Sequence, residues 1–310
     1  MKTLLLSCLA CFSLTALADF PVTIEHKYGS VTLEDMPQRV LSVGYTEQDD
    51  LLALGITPIA LRPWGTPVPH GVWPWAEHLL GEQKPIVLPR GPLDFEAIAD
   101  LNPDLIVGVY AGLSEEDYDK LSLIAPVIAE PGDYVRYATP WEEQFRIIAT
   151  AVGKRDLAEK MIAEIEQSFA QVRRDHPEFV GKEIAAGFYW DGNPGAYRSG
   201  EPRSRFFTEI GFSVPALYDE EAGDAFYAVF SPERIDVMDV DLLVWYWDSP
   251  EGALEEDPLV KRLRASLKAH QEGREIILDD DMRFALSFSS YPSLRFALDE
   301  LVPKLDRIFD

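Results

Sequence analysis

Along this chain, short apolar runs alternate with stretches whose apolar positions recur every three or four residues. Apolar runs fall at 39–43, 56–62, 104–110 and 126–129, and helical patterns at 46–55, 93–101 and 114–124. Short β-rich runs separated by helical segments predict parallel strands with helical crossovers, hence an α/β lobe. Thr46 and Ser114 stand where N-caps belong, with acids in the following turn, and Gly55 falls where a helix must give way to a strand. This first lobe is predicted over residues 19–139.

A long helical pattern follows. Thr139 is placed as N-cap, Pro140 at the first helical position and Glu142 to bond back in a capping box. Trp141, Phe145, Ile148 and Val152 make one apolar face; Gly153 interrupts, and Leu157, Met161, Ile165, Phe169 and Val172 resume the stripe until Asp175-His176-Pro177. Residues 140–176 are therefore predicted as a helix joining two lobes, its later part spanning roughly 30 Å. The alternation then restarts over 177–310, with strands predicted at 183–190, 241–247 and 275–278 and helices at 203–211, 232–238, 254–270 and 293–309.

The two halves share a unit. At an offset of 137, Leu93-Asp94-Phe95-Glu96-Ala97-Ile98 through Asp104-Leu105-Ile106-Val107 aligns without gaps on Phe230-Ser231-Pro232-Glu233-Arg234-Ile235 through Asp241-Leu242-Leu243-Val244, and Tyr110 falls on Trp247. Apolar matches alone would mean little, but the paired glutamates, aspartates and aromatics point to a duplicated architecture.

Composition narrows the class. The chain has 310 residues, 47% hydrophobic, enough for two buried cores. Its opening carries Lys2, an apolar run from Leu4 to Leu17 and Ala16-Leu17-Ala18, the layout of a secretory signal peptide over residues 1–18 with cleavage after Ala18. The run is shorter than the roughly 20 apolar residues of a membrane span. Both cysteines, Cys8 and Cys11, lie inside it, so the mature protein is expected to be exported, soluble and thiol-free. A lipid anchor on Cys8 is the lesser alternative, because the apolar segment before it is short. The formal net charge of −25 becomes one unit more negative without Lys2. Such a surface repels polyphosphates and anionic lipid, which excludes nucleic acid as a partner.

Enzyme motifs are missing: no Gly-x-Ser-x-Gly elbow, phosphate-binding glycine loop, Gly-x-Gly-x-x-Gly or His-Glu-x-x-His occurs. No catalytic residue is assigned. His26, His70, His78, His176 and His270 show no spacing that argues for metal ligation, and each is expected at the surface. In open parallel sheets ligands bind beyond the carboxyl ends of the strands, which selects Tyr45, Arg62, Trp64 and Tyr110 in the first half and Trp190, Arg198 and Trp247 in the second. Aromatic faces and cationic donors suit a bulky ligand with flat surfaces and oxygen-rich groups; a core or lobe-packing role is the alternative for any one aromatic. Glu96 and Glu233 each open a helix, where the dipole favours an acid. Their equivalent places also suit docking against arginines on two copies of a membrane subunit.

With these residues in place, the chain resembles the iron-siderophore substrate-binding proteins of ABC importers, periplasmic binding proteins whose two lobes are joined by one long helix. The resemblance covers the mature sequence and rests on Gly44-Tyr45-Thr46-Glu47-Gln48-Asp49 with Leu52-Ala53-Leu54-Gly55, on Leu101-Asn102-Pro103-Asp104-Leu105-Ile106, and on Gly108-Val109-Tyr110-Ala111-Gly112-Leu113-Ser114. Ser231-Pro232-Glu233-Arg234 and Leu286-Ser287-Phe288-Ser289-Ser290 add to it. It implies two Rossmann-like lobes, a monomer, a ferric siderophore in the interlobe cleft with iron bound only through the chelating ligand, modest closure, and salt bridges from Glu96 and Glu233 to the permease. The sequence offers no decisive arginine triad for a trianionic catecholate, so a hydroxamate or mixed-ligand siderophore is favoured. Haem or a corrinoid, with Tyr45 or Tyr110 as axial ligand for haem, and an exported enzyme acting on the chelate are the alternatives.

Overall fold

The computed structural model describes residues 20–134, 137–249 and 252–309. The proposed signal peptide and the Cys8 anchor lie outside the described residues. Among those described, no helix is long and apolar enough to cross a membrane.

An antiparallel hairpin of β1 (Val22–His26) and β2 (Gly29–Leu33) opens the described chain. Strands β3 (Val40–Ser42), β4 (Ala60–Leu61), β5 (Ile86–Val87), β6 (Leu105–Gly108) and β7 (Val127–Ala129) then form a parallel sheet in the order β5-β4-β3-β6-β7. β3, β6 and β7 are buried at every position, which is why they read as unbroken apolar runs. Ser114 caps its helix by accepting the Asp117 amide. Thr46 occupies the cap position without capping; its hydroxyl accepts instead from the Gln144 amide group at 3.2 Å.

The second sheet contains β8 (Ile184–Trp190), β9 (Asn193–Tyr197), β10 (Tyr227–Val229), β11 (Leu242–Ser249) and β12 (Glu275–Ile277), ordered β10-β9-β8-β11-β12. This sheet is mixed: β8, β11 and β12 run parallel, β10 pairs antiparallel with β9, and β9 turns back antiparallel against β8. The cause is a two-residue turn, Asp191-Gly192, with both φ values positive at 47° and 82°, the geometry that folds a strand back on its neighbour. The duplicated unit keeps equivalent places: β6 lies between β3 and β7 as β11 lies between β8 and β12. The helical turns at Phe95–Asp100 and Pro232–Met238 lead into them.

The connector is two helices, Trp141–Ala151 and Arg155–Asp175, where one was predicted over 140–176. Gly153 adopts a φ of 67° between them and ends the first helix. Pro140, not Thr139, takes its N-cap position, without a side-chain cap. The second helix buries Ile165 and Phe169 as expected, but in its first half Ala158 and Ile162 are buried in place of Leu157 and Met161, and Leu157 is left 40% exposed.

The last helix, Tyr291–Phe309, also corrects the division into lobes. It comes from the second segment yet packs on the first segment and the connector, with Phe296 5.9 Å from Trp75 and Tyr291 stacked 6.3 Å from Phe145. One buried cluster runs through β3, β6, both connector helices, β8, β11 and this helix.

Candidate functional site

The sequence around β3 shapes the first wall. Glu47 is fully buried in the first turn of Glu47–Ala53, and its carboxylate accepts the amides of Thr46 at 3.1 Å and Tyr110 at 2.6 Å. It occupies the space where a Cβ at residue 44 would lie, which is why that position is Gly44. One carboxylate therefore pins the loops after β3 and β6, and with them Tyr45 and Tyr110. Burial raises the Glu47 pKa to about 7 despite those amides.

Tyr45 and Arg62 line a cavity of about 370 Å³ together with Leu93, Phe95, Lys120 and Tyr137. The Arg62 guanidinium lies 4.5 Å over the Tyr45 ring and donates to the Gly91 carbonyl at 2.9 Å. The Tyr110 ring sits 5.2 Å from Tyr137. Gly112, at a φ of 60°, is required because a Cβ there would overlap the Tyr137 hydroxyl. Burial pushes the Tyr110 phenol well above its usual range, and the charge of Glu201 from the second segment adds to this.

The second wall surrounds a cavity of about 500 Å³ lined by Trp190, Tyr197, Arg203, Phe226, Tyr227 and Trp247, among others. Its aromatics touch one another: Tyr197 stacks on Phe226 at 6.4 Å and Phe226 meets Tyr227 edge-on at 4.7 Å. Trp190 is 60% exposed at the cavity. Arg203 is buried, lies 4.6 Å over Tyr197 and pairs with Glu201, while its Nε has no partner among the described residues. Burial works against its charge, but Glu201 and the surrounding tyrosines outweigh burial and keep it protonated.

Between the walls, Trp64 stacks on Phe288 at 5.3 Å and meets Phe284 edge-on at 5.7 Å. Phe284 in turn meets Trp247 at 5.2 Å, and Arg283 lies 4.4 Å over Trp247. Below them, Ser290 donates to Asp49 at 2.7 Å, joining the two sequence segments Gly44–Asp49 and Leu286–Ser290 in space.

Of the seven expected ligand residues, Tyr45, Arg62, Trp190 and Trp247 line a cavity, and Tyr110 and Trp64 stand against lining rings. Arg198 does not join them. Its guanidinium lies 3.3 Å from the Gly223 carbonyl and 3.6 Å from Asp219, where it braces a turn. Arg203 is the arginine that lines the second cavity. Sequence reasoning missed it by reading 203 as an ordinary helix start, although it opens the helix that follows β9, a strand end like the others. Phe226, Tyr227 and the 284–288 aromatics were missed because β10 and the helix Asp280–Phe288 were not predicted. Glu96 and Glu233 are both exposed, each the second residue of its helical turn. His26 departs from expectation: it is buried, 5.1 Å from the Tyr118 ring, and burial lowers its pKa.

Comparison with known proteins places this geometry. Residues 40–282 match the model of a family described as periplasmic binding proteins. A crystal structure of a periplasmic solute binding protein from Mycobacterium smegmatis is 36% identical with a TM-score of 0.82, covering 93% of this chain and 99% of that one. Streptococcus pneumoniae PiaA in complex with ferrichrome is 27% identical with a TM-score of 0.76, covering 93% and 98%. Among curated proteins, the probable siderophore-binding lipoprotein YfiY of Bacillus subtilis is 26% identical over 272 residues, 83% of this chain and 80% of its own length. The paired walls, the duplicated helix-to-strand unit and the connector between them are those of the periplasmic binding protein family, to which this chain belongs.

Proposed function

We propose that this protein is the substrate-binding component of an ABC importer and that its cleft holds one ferric siderophore of hydroxamate or mixed-ligand type. The observation that carries the reading is the balance of charge in an aromatic cleft. Lys120 pairs with Glu116 at 2.7 Å, Arg203 with Glu201 and Arg283 with Asp280 at 2.6 Å, while Arg62 is spent on a carbonyl and a ring. A trianionic chelate needs several uncommitted cations to offset its desolvation; among the described residues this cleft offers few. A neutral or weakly charged complex can instead be held by stacking on Trp190, Trp247 and Tyr45 and by single donors. The ferrichrome complex of PiaA supports the same choice.

Titration with ferrichrome, ferric citrate, a ferric tricatecholate and haemin, read by quenching of tryptophan fluorescence, tests this. Ferrichrome or another ferric hydroxamate is expected to saturate the signal at the lowest concentration; a response to the tricatecholate or haemin alone overturns the reading. The relatives compared are named as binding proteins, and recovery of the siderophore unchanged after incubation is expected. We place the protein in the periplasm as a monomer, released by cleavage after Ala18, with Glu96 and Glu233 meeting the permease; YfiY is a lipoprotein, so mass spectrometry of the mature N-terminus distinguishes the anchored form.

A further inference from the structure

Away from the cleft, three segments converge at the end of helix 155–175. His176 follows that helix, Glu178 lies in the turn Pro177–Phe179, and Asp306 belongs to the last helix. The His176 Nδ1 is 3.0 Å from a Glu178 carboxylate oxygen and 3.1 Å from one of Asp306. One donor atom of each residue lies within 4.8 Å of the other two. No spacing in the sequence pairs this histidine with Asp306; the fold does. The imidazole lies flat on Phe179, with centroids 4.8 Å apart and planes 7° apart. Phe179 is itself fully buried between Phe212 and Phe309. The ring is thus held in place, while the side chains of His176, Glu178 and Asp306, at 19%, 35% and 41% exposure, leave the group open to water.

We propose that His176, Glu178 and Asp306 form a binding site for one divalent first-row transition ion, such as Zn²⁺. One imidazole nitrogen and two carboxylate oxygens suit such ions. Metal–ligand bonds of about 2.0–2.2 Å set adjacent donors roughly 3.0–3.5 Å apart, and the two nitrogen–oxygen separations fall in that range. A proton satisfies the group less well, because a single N–H aligned with one carboxylate is poorly aligned with the other. The ion's two positive charges balance the two carboxylates, and water completes the coordination. Bound there, it ties the far end of the connector helix to the last helix, outside the cleft.

The test uses the whole mature chain, stripped of metal with a chelator and titrated with Zn²⁺ by calorimetry, alongside Asp306→Asn and Glu178→Gln. Both replacements keep the side-chain shape at partly exposed positions, so folding is expected to survive. The site requires one saturable Zn²⁺ per chain, a higher thermal midpoint with zinc than without, and affinity reduced more than roughly tenfold in each variant. Absence of saturable binding in the wild-type chain overturns the proposal, as does binding unchanged in both variants, which would put the zinc elsewhere.

Discussion

At the scale of single residues, the least ordinary feature is the acid turn Glu47, Asp49 and Asp50, all buried in the first turn of one helix. Burial raises the pKa of Glu47 and of Asp49 to about 7 each, and raises Asp50 well above the usual carboxylate range. The hydrogen bonds from Ser290 and Trp75 to Asp49, both 2.7 Å, offset only part of this. Unfolded carboxyls titrate near 4, so between about pH 4 and pH 7 the folded state holds protons that the unfolded chain has released. The stability from Glu47 and Asp49 is therefore whole below about pH 4 and is lost as pH rises through about 7, and the raised Asp50 carboxyl adds to the same downward trend. Urea unfolding is expected to show a contribution of the order of a few kcal/mol, visible as a flatter pH dependence in Asp49→Asn than in the wild type; equal slopes would exclude it. Trp190 gives the opposite kind of test. Being largely exposed, Trp190→Ala is expected to change stability by less than about 0.5 kcal/mol while weakening siderophore binding by roughly tenfold, since a stacked aromatic contributes about 0.5–1.5 kcal/mol beyond the area it buries.

At the scale of elements, the hairpin at Asp191-Gly192 decides how the second wall is built, because it sets β9 beside β8, gives β10 its partner in β9, and so brings Tyr197, Tyr227 and Val229 to the cavity. Nothing lies within contact of a Cβ added at Gly192, and its φ of 82° is the sole obstacle there. Gly192→Ala is accordingly expected to cost about 1 kcal/mol in thermal or urea unfolding, and to weaken the ligand further only if the turn changes type. This hairpin also shows why the sequence was partly legible. Buried parallel strands such as β6 and β11 declared themselves as apolar runs. The Asp-Gly signal was present but passed over, and Ala228 is the one buried position of three in β10, too little for any period to register. The connector break at Gly153 was visible as an interruption and underweighted. The site aromatics at strand ends were found by a rule of topology. Phe284 and Phe288 escaped because they come from a helix whose buried residues, Met282 and Phe284 through Phe288, spread over most of its circumference.

At the scale of the molecule, the duplicated unit offers two exposed acids in equivalent settings. Glu233 carries a lowered pKa, held by its own backbone amide and the Ser231 hydroxyl, so it keeps its charge to lower pH than an ordinary glutamate. Glu96→Ala and Glu233→Ala are expected to leave siderophore affinity unchanged and to reduce uptake in cells, each alone less than both together; loss of binding in the purified protein would assign these acids to the cleft or the fold. The last helix, which starts among second-segment residues and packs on Trp75 of the first and Phe145 of the connector, carries one more consequence. Each half keeps one buried cluster to itself, but the helix's buried residues belong to a third that both sheets share, so neither half can close its interior alone. Heating should give one calorimetric peak whose calorimetric and van't Hoff enthalpies agree, and a chain ending before Tyr291 should melt cooperatively nowhere, the first half included.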